Sequence, residues 1–441
     1  MIGITYESAV RVLVFAGVLA IITALMPVRF ALANPEPPGL YDARSVAMAG
    51  TGVAFLDSAA AIFHNPAALE QIEQISLTLA TTALMVDFSA PFAGPGTEQS
   101  SGMQIAPLGF LGMAYRLSDE VVAGAGIYIS TGFGGGFTDV ASIGVPGSEF
   151  TLDPPEDQSV FLYVGELNLP LGFRVSESLR LGISLRLPYA AQEVATHQEV
   201  ATGNWQPVEQ SIAGFGNPGL LLGALYQPTE RLRFGFAYRT KVTIPMTGST
   251  RVALVGPEPA NFDTRTSWNV PHMVRLGAAW TALEERFLLS AELRAQFHQE
   301  ANDEQAFEIL TDRGTTLLTL TAPFKWRNVY GGMIGAEYWL TRYLPVRLGF
   351  SVARAATPDE TVSTFTPPPG VQTALYAGLG LNTETLRVDV GGAYANAEHT
   401  VSESAEGCAA GAQVKVGCAG TYGVETYFLG VSFSYQPTTM P

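Results

Sequence analysis

One feature of this sequence limits its fold more than any other: a long series of alternating segments. From Ile75 to Tyr435, apolar residues alternate with small or polar ones in segments of about a dozen positions. A strand that crosses a bilayer needs about 9–11 residues, so these segments are long enough to span a membrane. We predict fourteen strands, an even number, as a closed antiparallel barrel of the bacterial outer membrane requires. The predicted strands are 75–89, 103–117, 120–130, 159–174, 179–190, 215–227, 231–247, 267–281, 286–299, 324–340, 345–356, 371–382, 385–397 and 421–435.

The connections between these segments alternate in length. Links of two to four residues, such as Ser118-Asp119 and Thr383-Glu384, are followed by long segments. Short periplasmic turns and long external loops are typical of outer-membrane barrels, and this pattern places both chain termini on the periplasmic side. The predicted external loops are 90–102, 131–158, 191–214, 248–266, 300–323, 357–370 and 398–420.

The alternation also assigns the two faces of each strand. In 231–247, one face carries Leu232, Phe234, Phe236, Tyr238, Val242 and Ile244, and the other carries Arg233, Arg239 and Lys241. The segments 179–187, 287–298 and 345–353 show the same division, with arginines opposite a continuous apolar face. Because an arginine that faces lipid at mid-bilayer costs about 2–4 kcal/mol, the polar face is predicted to be internal. Aromatic residues near strand ends, among them Trp280, Trp326 and Tyr338, suit the interfacial girdles.

The composition supports a membrane barrel. Hydrophobic residues make up 47% of the 441 residues and charged residues only 15%, yet after the first 30 residues no apolar run is long enough for a membrane helix. A large soluble array of β-sandwiches is the alternative. The net charge of −16 argues against nucleic acid as a partner, since phosphate binding needs a basic surface.

The first 33 residues are predicted to be a signal peptide. Residues 12–26 form an apolar core, and Ala31-Leu32-Ala33 provides a small-residue cleavage site before Asn34. An uncleaved anchor helix is the alternative. Export across the inner membrane is the interpretation that we adopt.

Residues 34–74 are predicted to form a plug, or hatch, inside the barrel. The segment consists of small and apolar residues broken by Gly50 and Gly52, and Asn65-Pro66 would stop one short helix and open another. Such a segment is too small to fold alone. The barrel would occupy 75–435, with 436–441 as a C-terminal tail.

The two cysteines, Cys408 and Cys418, lie ten residues apart in one Gly/Ala-rich segment. In an exported chain such a pair suggests a disulfide within a loop. No His or second Cys pair accompanies them, so we predict neither a metal site nor a cofactor.

Three blocks of the chain resemble the FadL/TodX group of outer-membrane transporters for hydrophobic compounds. They are ARSVAMAG at 43–50, Asp57-Ser58-Ala59-Ala60, and Asn65-Pro66-Ala67-Ala68-Leu69, which matches the NPA hatch motif of that group. A weaker similarity runs from Gly214 to Val242. The resemblance covers essentially the whole mature chain, but only the amino-terminal blocks have the specificity of a motif.

The resemblance implies a monomer in the bacterial outer membrane whose hatch closes the lumen, with Asn65, Pro66 and Ala67 as hatch residues. It also implies that external loops capture a hydrophobic ligand and that the ligand leaves sideways into the outer-membrane lipid. The lateral portal would lie at a distortion of the third strand, where Gly124 and Gly126 favour a bulge or kink. Ordinary glycine packing is the alternative for these two residues.

Four residues are candidates for ligand binding: Phe63, Arg233, Arg239 and Lys241. The cations would pair with a ligand carboxylate, or instead line a wet lumen and balance internal acids such as Glu292. The ligand class stays open among fatty acids, alkanes, monoaromatics and terpenoid-like molecules. A general diffusion porin is the alternative function, and an outer-membrane hydrolase finds no support in a G-x-S-x-G motif or metal-ligand spacing.

Overall fold

The structure is a computed structural model that describes residues 41–145, 148–201, 203–254, 258–402 and 419–437. The predicted signal peptide, Cys408 and Cys418 lie outside the described residues, as do 34–40 of the predicted hatch and the last residues of the tail. Those assignments stay predictions.

One antiparallel sheet closes into a barrel of fourteen strands, which confirms the predicted fold class. Closure comes from the first strand, which pairs with the last from Leu77↔Tyr435 to Ser89↔Gly423. In order, the strands are Ile75–Pro91, Gln104–Ser118, Val121–Val145, Ser148–Arg174, Leu179–Ala201, Asn204–Phe215 with Gly219–Thr229, Leu232–Arg239 with Val242–Val252, Ala260–Val270 with Met273–Ala282, Phe287–Gln296 with Glu304–Leu310, Thr316–Pro323 with Val329–Thr341, Leu344–Arg354, Val371–Asn382, Leu386–Val401 and Gly420–Tyr435. A short strand, Glu98–Ser100, pairs with the end of strand 1.

Four predicted loops are largely strand instead. Strands 3 and 4 pair as far as Val145↔Ser148, and strands 5 and 6 as far as Ala201↔Asn204, so 131–158 and 191–214 are extended hairpins. Much of 248–266 and 300–323 is also paired strand. These extensions carry polar residues, Gly and Pro on both faces, so they lack the clear alternation that marks a strand against lipid.

Strands 6 to 10 are all interrupted at one level, at 216–218, 240–241, 271–272, 297–303 and 324–328. The interruption exchanges the inward and outward faces of these strands. Arg239 is buried on the side of the short turns, which we call below the interruption, whereas Val242 and Ile244 are buried on the opposite side, above it. A shift of one residue moves every later side chain to the opposite face. The prediction that Val242 and Ile244 meet lipid, drawn from one unbroken period, is therefore wrong.

Below the interruption, the predicted faces agree with the structure. Leu293 and Leu348 are 65% and 67% exposed on the outer surface, whereas Glu292 and Arg347 are only 3% and 2% exposed on the inner one. Trp280 and Tyr338 lie on the outer surface as a girdle requires. Trp326 does not, because it is fully buried inside the barrel.

The segment from Tyr41 to Ile72 fills the lumen. It contains two short helices, Ala43–Ala47 and Ala61–His64, and a 3-10 helix at Pro66–Gln71. Asp42 caps the first helix by accepting hydrogen bonds from the Arg44 and Ser45 backbone N–H groups. Nearly all residues of this interior segment, 41–72, are buried. The interior segment therefore occupies the position that the hydrophobic core has in a soluble protein. In the described part of the chain, no helix has the length and apolarity that a membrane crossing demands.

Candidate functional site

Ion pairs fasten the interior segment to the barrel wall. The Arg44 guanidinium donates to both Glu337 carboxylate oxygens, at 2.9 and 2.8 Å. Glu337 also accepts from Arg347 at 2.6 Å, and Arg347 in turn donates to Asp389 at 2.7 Å. Charge-assisted, two-pronged contacts of this kind are strong and directional. The network therefore sets the position of the first helix against strands 10, 11 and 13.

The predicted hatch residues sit where the segment touches strands 5 and 6. Asn65 is fully buried and donates to the carbonyls of Val53 and Ala224, at 2.8 and 2.9 Å. A Cβ at Gly223 of strand 6 would lie 2.1 Å from Asn65 Oδ1, so that position accepts only glycine while the segment is in place. Gly182 of strand 5 has the same relation to Ala67. Asn65, Pro66 and Ala67 are thus in direct contact with the wall.

Phe63 lies in an aromatic cluster at the centre of the lumen. Its ring centroid is 3.7 Å from that of Tyr41 and 5.2 Å from that of Tyr128. The guanidinium groups of Arg239 and Arg275 lie over the same ring, at 5.5 and 5.7 Å. This arrangement is a cation–π contact within the protein.

The cations near Phe63 are already neutralised by acids of the wall. Arg239 pairs with Glu166 at 2.6 Å, and Arg186 pairs with the same carboxylate at 2.7 Å. Arg275 pairs with Glu292, whose other oxygen accepts from the Gly52 backbone N–H at 3.1 Å. These contacts favour the role of charge balance for Arg239.

The other two predicted ligand cations lie elsewhere. Arg233 donates to the side-chain oxygen of Gln71 at 3.2 Å, near the short-turn end of the barrel. Lys241 lies at the interruption of strand 7, where its Nζ donates to the Glu300 carbonyl at 2.7 Å in an exposed contact. The structure therefore brings Phe63 and Arg239 together and leaves Arg233 and Lys241 apart from them.

Glu70 closes the end of the barrel that carries the short turns. Its carboxylate is bound by Arg116, Arg174 and Arg180, at 3.1, 2.7 and 2.7 Å. Burial opposes its ionisation, but the hydrogen bonds from the three arginines outweigh that effect and hold the pKa of Glu70 below its usual value. The carboxylate is therefore charged at neutral pH and joins the segment to strands 2, 4 and 5.

A cavity lies at the opposite end, among the strand extensions. It has about 870 Å³ of unoccupied space when its open mouth is included. Most of its wall is apolar, and its polar members are amides, hydroxyls and one imidazole. Its lining includes Phe133, Gln192, Gln210, Thr250, Gln305 and Phe324.

The floor of this cavity is a packed cluster of aromatic rings. Phe133 contacts Trp268 and Trp326, with centroids 5.2 and 5.6 Å apart, and Phe324 stacks on Trp326 at 5.0 Å. Both indole N–H groups are buried and have no hydrogen-bond partner among the described residues. The floor of the cavity is thus formed by apolar ring faces.

The barrel wall has a gap between strands 2 and 3. Their pairing stops at Phe110↔Tyr128, although strand 2 begins at Gln104 and strand 3 continues to Val145 with strand 4 alone. A register shift between Ile129 and Thr131 marks this point in the pairing with strand 4. At the far side of the gap, the Gln104 side-chain amide donates to the Gly136 carbonyl.

Gly124 and Gly126, the predicted portal residues, lie below this gap. Both pair regularly with strand 2, as Ala114↔Gly124 and Gly112↔Gly126. A Cβ at Gly126 would lie 3.1 Å from Ile62 of the interior segment. The register shift of strand 3, between Ile129 and Thr131, falls a few residues beyond these two glycines, whose role in a portal stays a prediction.

Sequence reasoning missed the residues of the cavity. Gln210 and Gln305 fall in segments predicted to be loops, and Trp326 was assigned to the outer girdle. The available signal was the spacing of Val208, Gln210 and Ile212, whose alternate positions indicate one buried face.

Residues 41–436 match the family described as outer membrane protein transport protein (OMPP1/FadL/TodX). No curated protein sequence gives a significant match.

Several solved structures share the fold. The toluene transporter TbuX of Ralstonia pickettii is 20% identical, with a TM-score of 0.70 over 91% of this chain and 99% of that chain. A FadL homologue of Pseudomonas aeruginosa is 16% identical, with a TM-score of 0.71 over 90% and 98% of the two chains. The toluene transporter TodX of Pseudomonas putida is 16% identical, with a TM-score of 0.69 over 92% and 100%.

Proposed function

We infer the function of this chain from its family, because it belongs to the outer membrane protein transport protein (OMPP1/FadL/TodX) family. It is an outer-membrane barrel that takes up hydrophobic compounds. A general diffusion porin leaves an open aqueous channel, whereas the segment from Tyr41 to Ile72 fills this lumen. The chain is accordingly a transporter rather than a porin.

The cavity among the strand extensions is the proposed entry site for a substrate. It is concave, its wall is mainly apolar, and a few polar side chains converge on it, as is usual for small-molecule sites. We propose that hydrophobic compounds of about the size of one aromatic ring bind here first. Toluene is our reference compound, because two of the similar structures are described as toluene transporters.

Residues 34–74 are proposed to act as the hatch, with Asn65, Pro66 and Ala67 at its contact with the wall. The support is that Asn65 bonds to the wall at Ala224 and that Gly182 and Gly223 admit the segment so closely. The ion pairs of Arg44 and Glu70 add further attachments. Straight passage through the lumen would have to break all of them.

The proposed exit is therefore sideways, through the gap between strands 2 and 3. There the strand edges are not paired with each other beyond Phe110↔Tyr128. An apolar compound that leaves by this route reaches the outer-membrane lipid without contact with water. Because one chain closes the whole barrel, we propose that the transporter works as a monomer.

Uptake of labelled toluene tests the proposed function. Cells that produce the protein in the outer membrane are expected to accumulate toluene several-fold faster than cells with an empty vector. A small hydrophilic sugar serves as the control and should enter at the same rate in both strains. Equal toluene rates, or faster sugar entry, would contradict the proposal.

A further inference from the structure

The cavity wall holds hydrogen-bonding atoms that the protein itself does not use. Gln305 donates from Nε2 to the side-chain oxygen of Gln192 at 2.9 Å, which leaves its own Oε1 without a partner among the described residues. Gln210 donates from Nε2 to the Thr250 hydroxyl at 2.9 Å, and its Oε1 is likewise unpartnered. Both side chains line the cavity, and Gln210 and Gln305 are only 9% and 2% exposed.

An unused buried acceptor is costly. Removal of a polar group from water without a replacement hydrogen bond is unfavourable, and for that reason most buried polar atoms have partners. Two such oxygens in one cavity leave two acceptors that a bound molecule can satisfy. A purely apolar ligand would leave both of them unsatisfied.

The charges of the lining side chains limit the class of ligand further. None of the described residues that line it is Lys, Arg, Asp or Glu. A carboxylate ligand would thus lose its hydration in a cavity that offers neutral amides and hydroxyls but no Lys or Arg to balance its charge. A hydroxyl group, in contrast, carries no charge and can donate to the unpartnered oxygen of Gln210 or Gln305.

We propose that this cavity selects uncharged hydrophobic compounds that carry a hydroxyl group, with Gln210 and Gln305 as the residues that determine this specificity. The proposal rests on the proposed function, since it assigns a substrate class to the same cavity. A fatty acid would need a cation, which the described lining residues do not supply. A plain hydrocarbon such as toluene can still occupy the apolar wall but forms no hydrogen bond with Gln210 or Gln305.

Binding of three compounds of similar size tests this inference: cyclohexanol, methylcyclohexane and cyclohexanecarboxylate. Each is titrated calorimetrically into the full-length protein in lipid nanodiscs, with empty nanodiscs as the blank. The proteins are the wild type, the double variant Gln210→Leu/Gln305→Leu, and Gln372→Leu, which changes a strand glutamine outside the cavity. The ratio of Kd values between variant and wild type removes the contribution of the lipid.

We expect the double variant to bind cyclohexanol about tenfold more weakly, which corresponds to one or two net hydrogen bonds. It should bind methylcyclohexane at least as tightly as the wild type does, Gln372→Leu should change neither, and the carboxylate should bind most weakly throughout. An equal change for cyclohexanol and methylcyclohexane would overturn the specificity while it leaves the uptake function intact.

Failure of all three compounds to bind the wild type would instead overturn the cavity as an uptake site, and the specificity with it. If the double variant does not assemble as a barrel, the single variant Gln210→Leu keeps the amide pair of Gln192 and Gln305. It should show a loss of about threefold for cyclohexanol alone. No selective loss in that variant would also count against the specificity.

Discussion

Asn65 shows how one side chain can hold a buried segment in a barrel. Its amide donates to Val53 within the segment and to Ala224 in the wall, and its oxygen accepts from the Ala67 backbone N–H at 3.1 Å. Three of its hydrogen bonds are therefore specified by geometry. A side chain of nearly the same shape but with different hydrogen-bonding groups should therefore not substitute for Asn65.

The variant Asn65→Asp tests this point with almost no change in volume. The carboxylate keeps the bond from Ala67 but turns two donated bonds into contacts between oxygen atoms. An unpaired buried polar group costs about 1–3 kcal/mol, and two such groups would result. The free energy that holds the segment against the wall should therefore fall by about 2–6 kcal/mol. Limited proteolysis should cut within 41–72 in this variant while the barrel stays intact.

Asn204→Asp is the matched control, because Asn204 lies exposed at a hairpin tip. Equal resistance of Asn65→Asp and the control to protease would show that Asn65 does not hold the segment.

Glu70 gives the attachment of the segment a pH dependence. Its pKa is lowered in the folded state, so its contribution to stability is present above the usual carboxyl pKa and is lost as the pH falls through the lowered value. Acid should thus release the segment before the barrel unfolds. Glu70→Gln removes one of the carboxylates that hold the segment and should make the proteolysis profile less steep between pH 6 and pH 3. A profile with the wild-type slope in Glu70→Gln would refute this role.

At the scale of elements, the gap between strands 2 and 3 is the feature that the proposed exit depends on. Its edges are the first residues of strand 2 and the part of strand 3 beyond Tyr128, and Gln104 bridges to Gly136 across it. A Cβ at Gly136 would have only ordinary contacts, the nearest being 3.4 Å from Phe161. A larger side chain can therefore be placed there without strain on the backbone.

Gly136→Phe should obstruct the gap and reduce toluene uptake at least several-fold, because the ring would occupy the space beside Gln104. Gly332→Phe is the matched control, since a Cβ at Gly332 would contact only Leu293, at 3.8 Å, and Gly332 lies on strand 10, away from the gap. Initial uptake rates of labelled toluene should fall for Gly136→Phe alone. Unchanged uptake in Gly136→Phe would remove this gap as the exit.

For the whole molecule, periodicity in the sequence predicts the lipid-facing part of the barrel well and the strand extensions above the interruptions poorly. Alternation against lipid is strict, so the fourteen strands and the faces of residues such as Glu292, Arg347 and Leu348 could be predicted. The interruptions in strands 6 to 10 could not, because a one-residue shift leaves composition unchanged while it moves Val242 and Ile244 inside.

The candidate site was predictable only in part, for a related reason. The NPA motif marked Asn65, Pro66 and Ala67, because these three residues are adjacent in the sequence. The cavity residues Gln210 and Gln305 come from distant strands, and only the closed sheet brings them together. Strand pairing over long separations, not local pattern, determines that half of the site.

The barrel as a whole is proposed to be closed to water and ions while apolar compounds pass through its wall. Single-channel recording of the purified protein in a planar bilayer tests this claim most directly. We predict almost no steady conductance, because the segment from Tyr41 to Ile72 fills the lumen and is held by the ion pairs of Arg44 and Glu70. A large, constant conductance in the wild type would contradict the account and indicate an open aqueous pore.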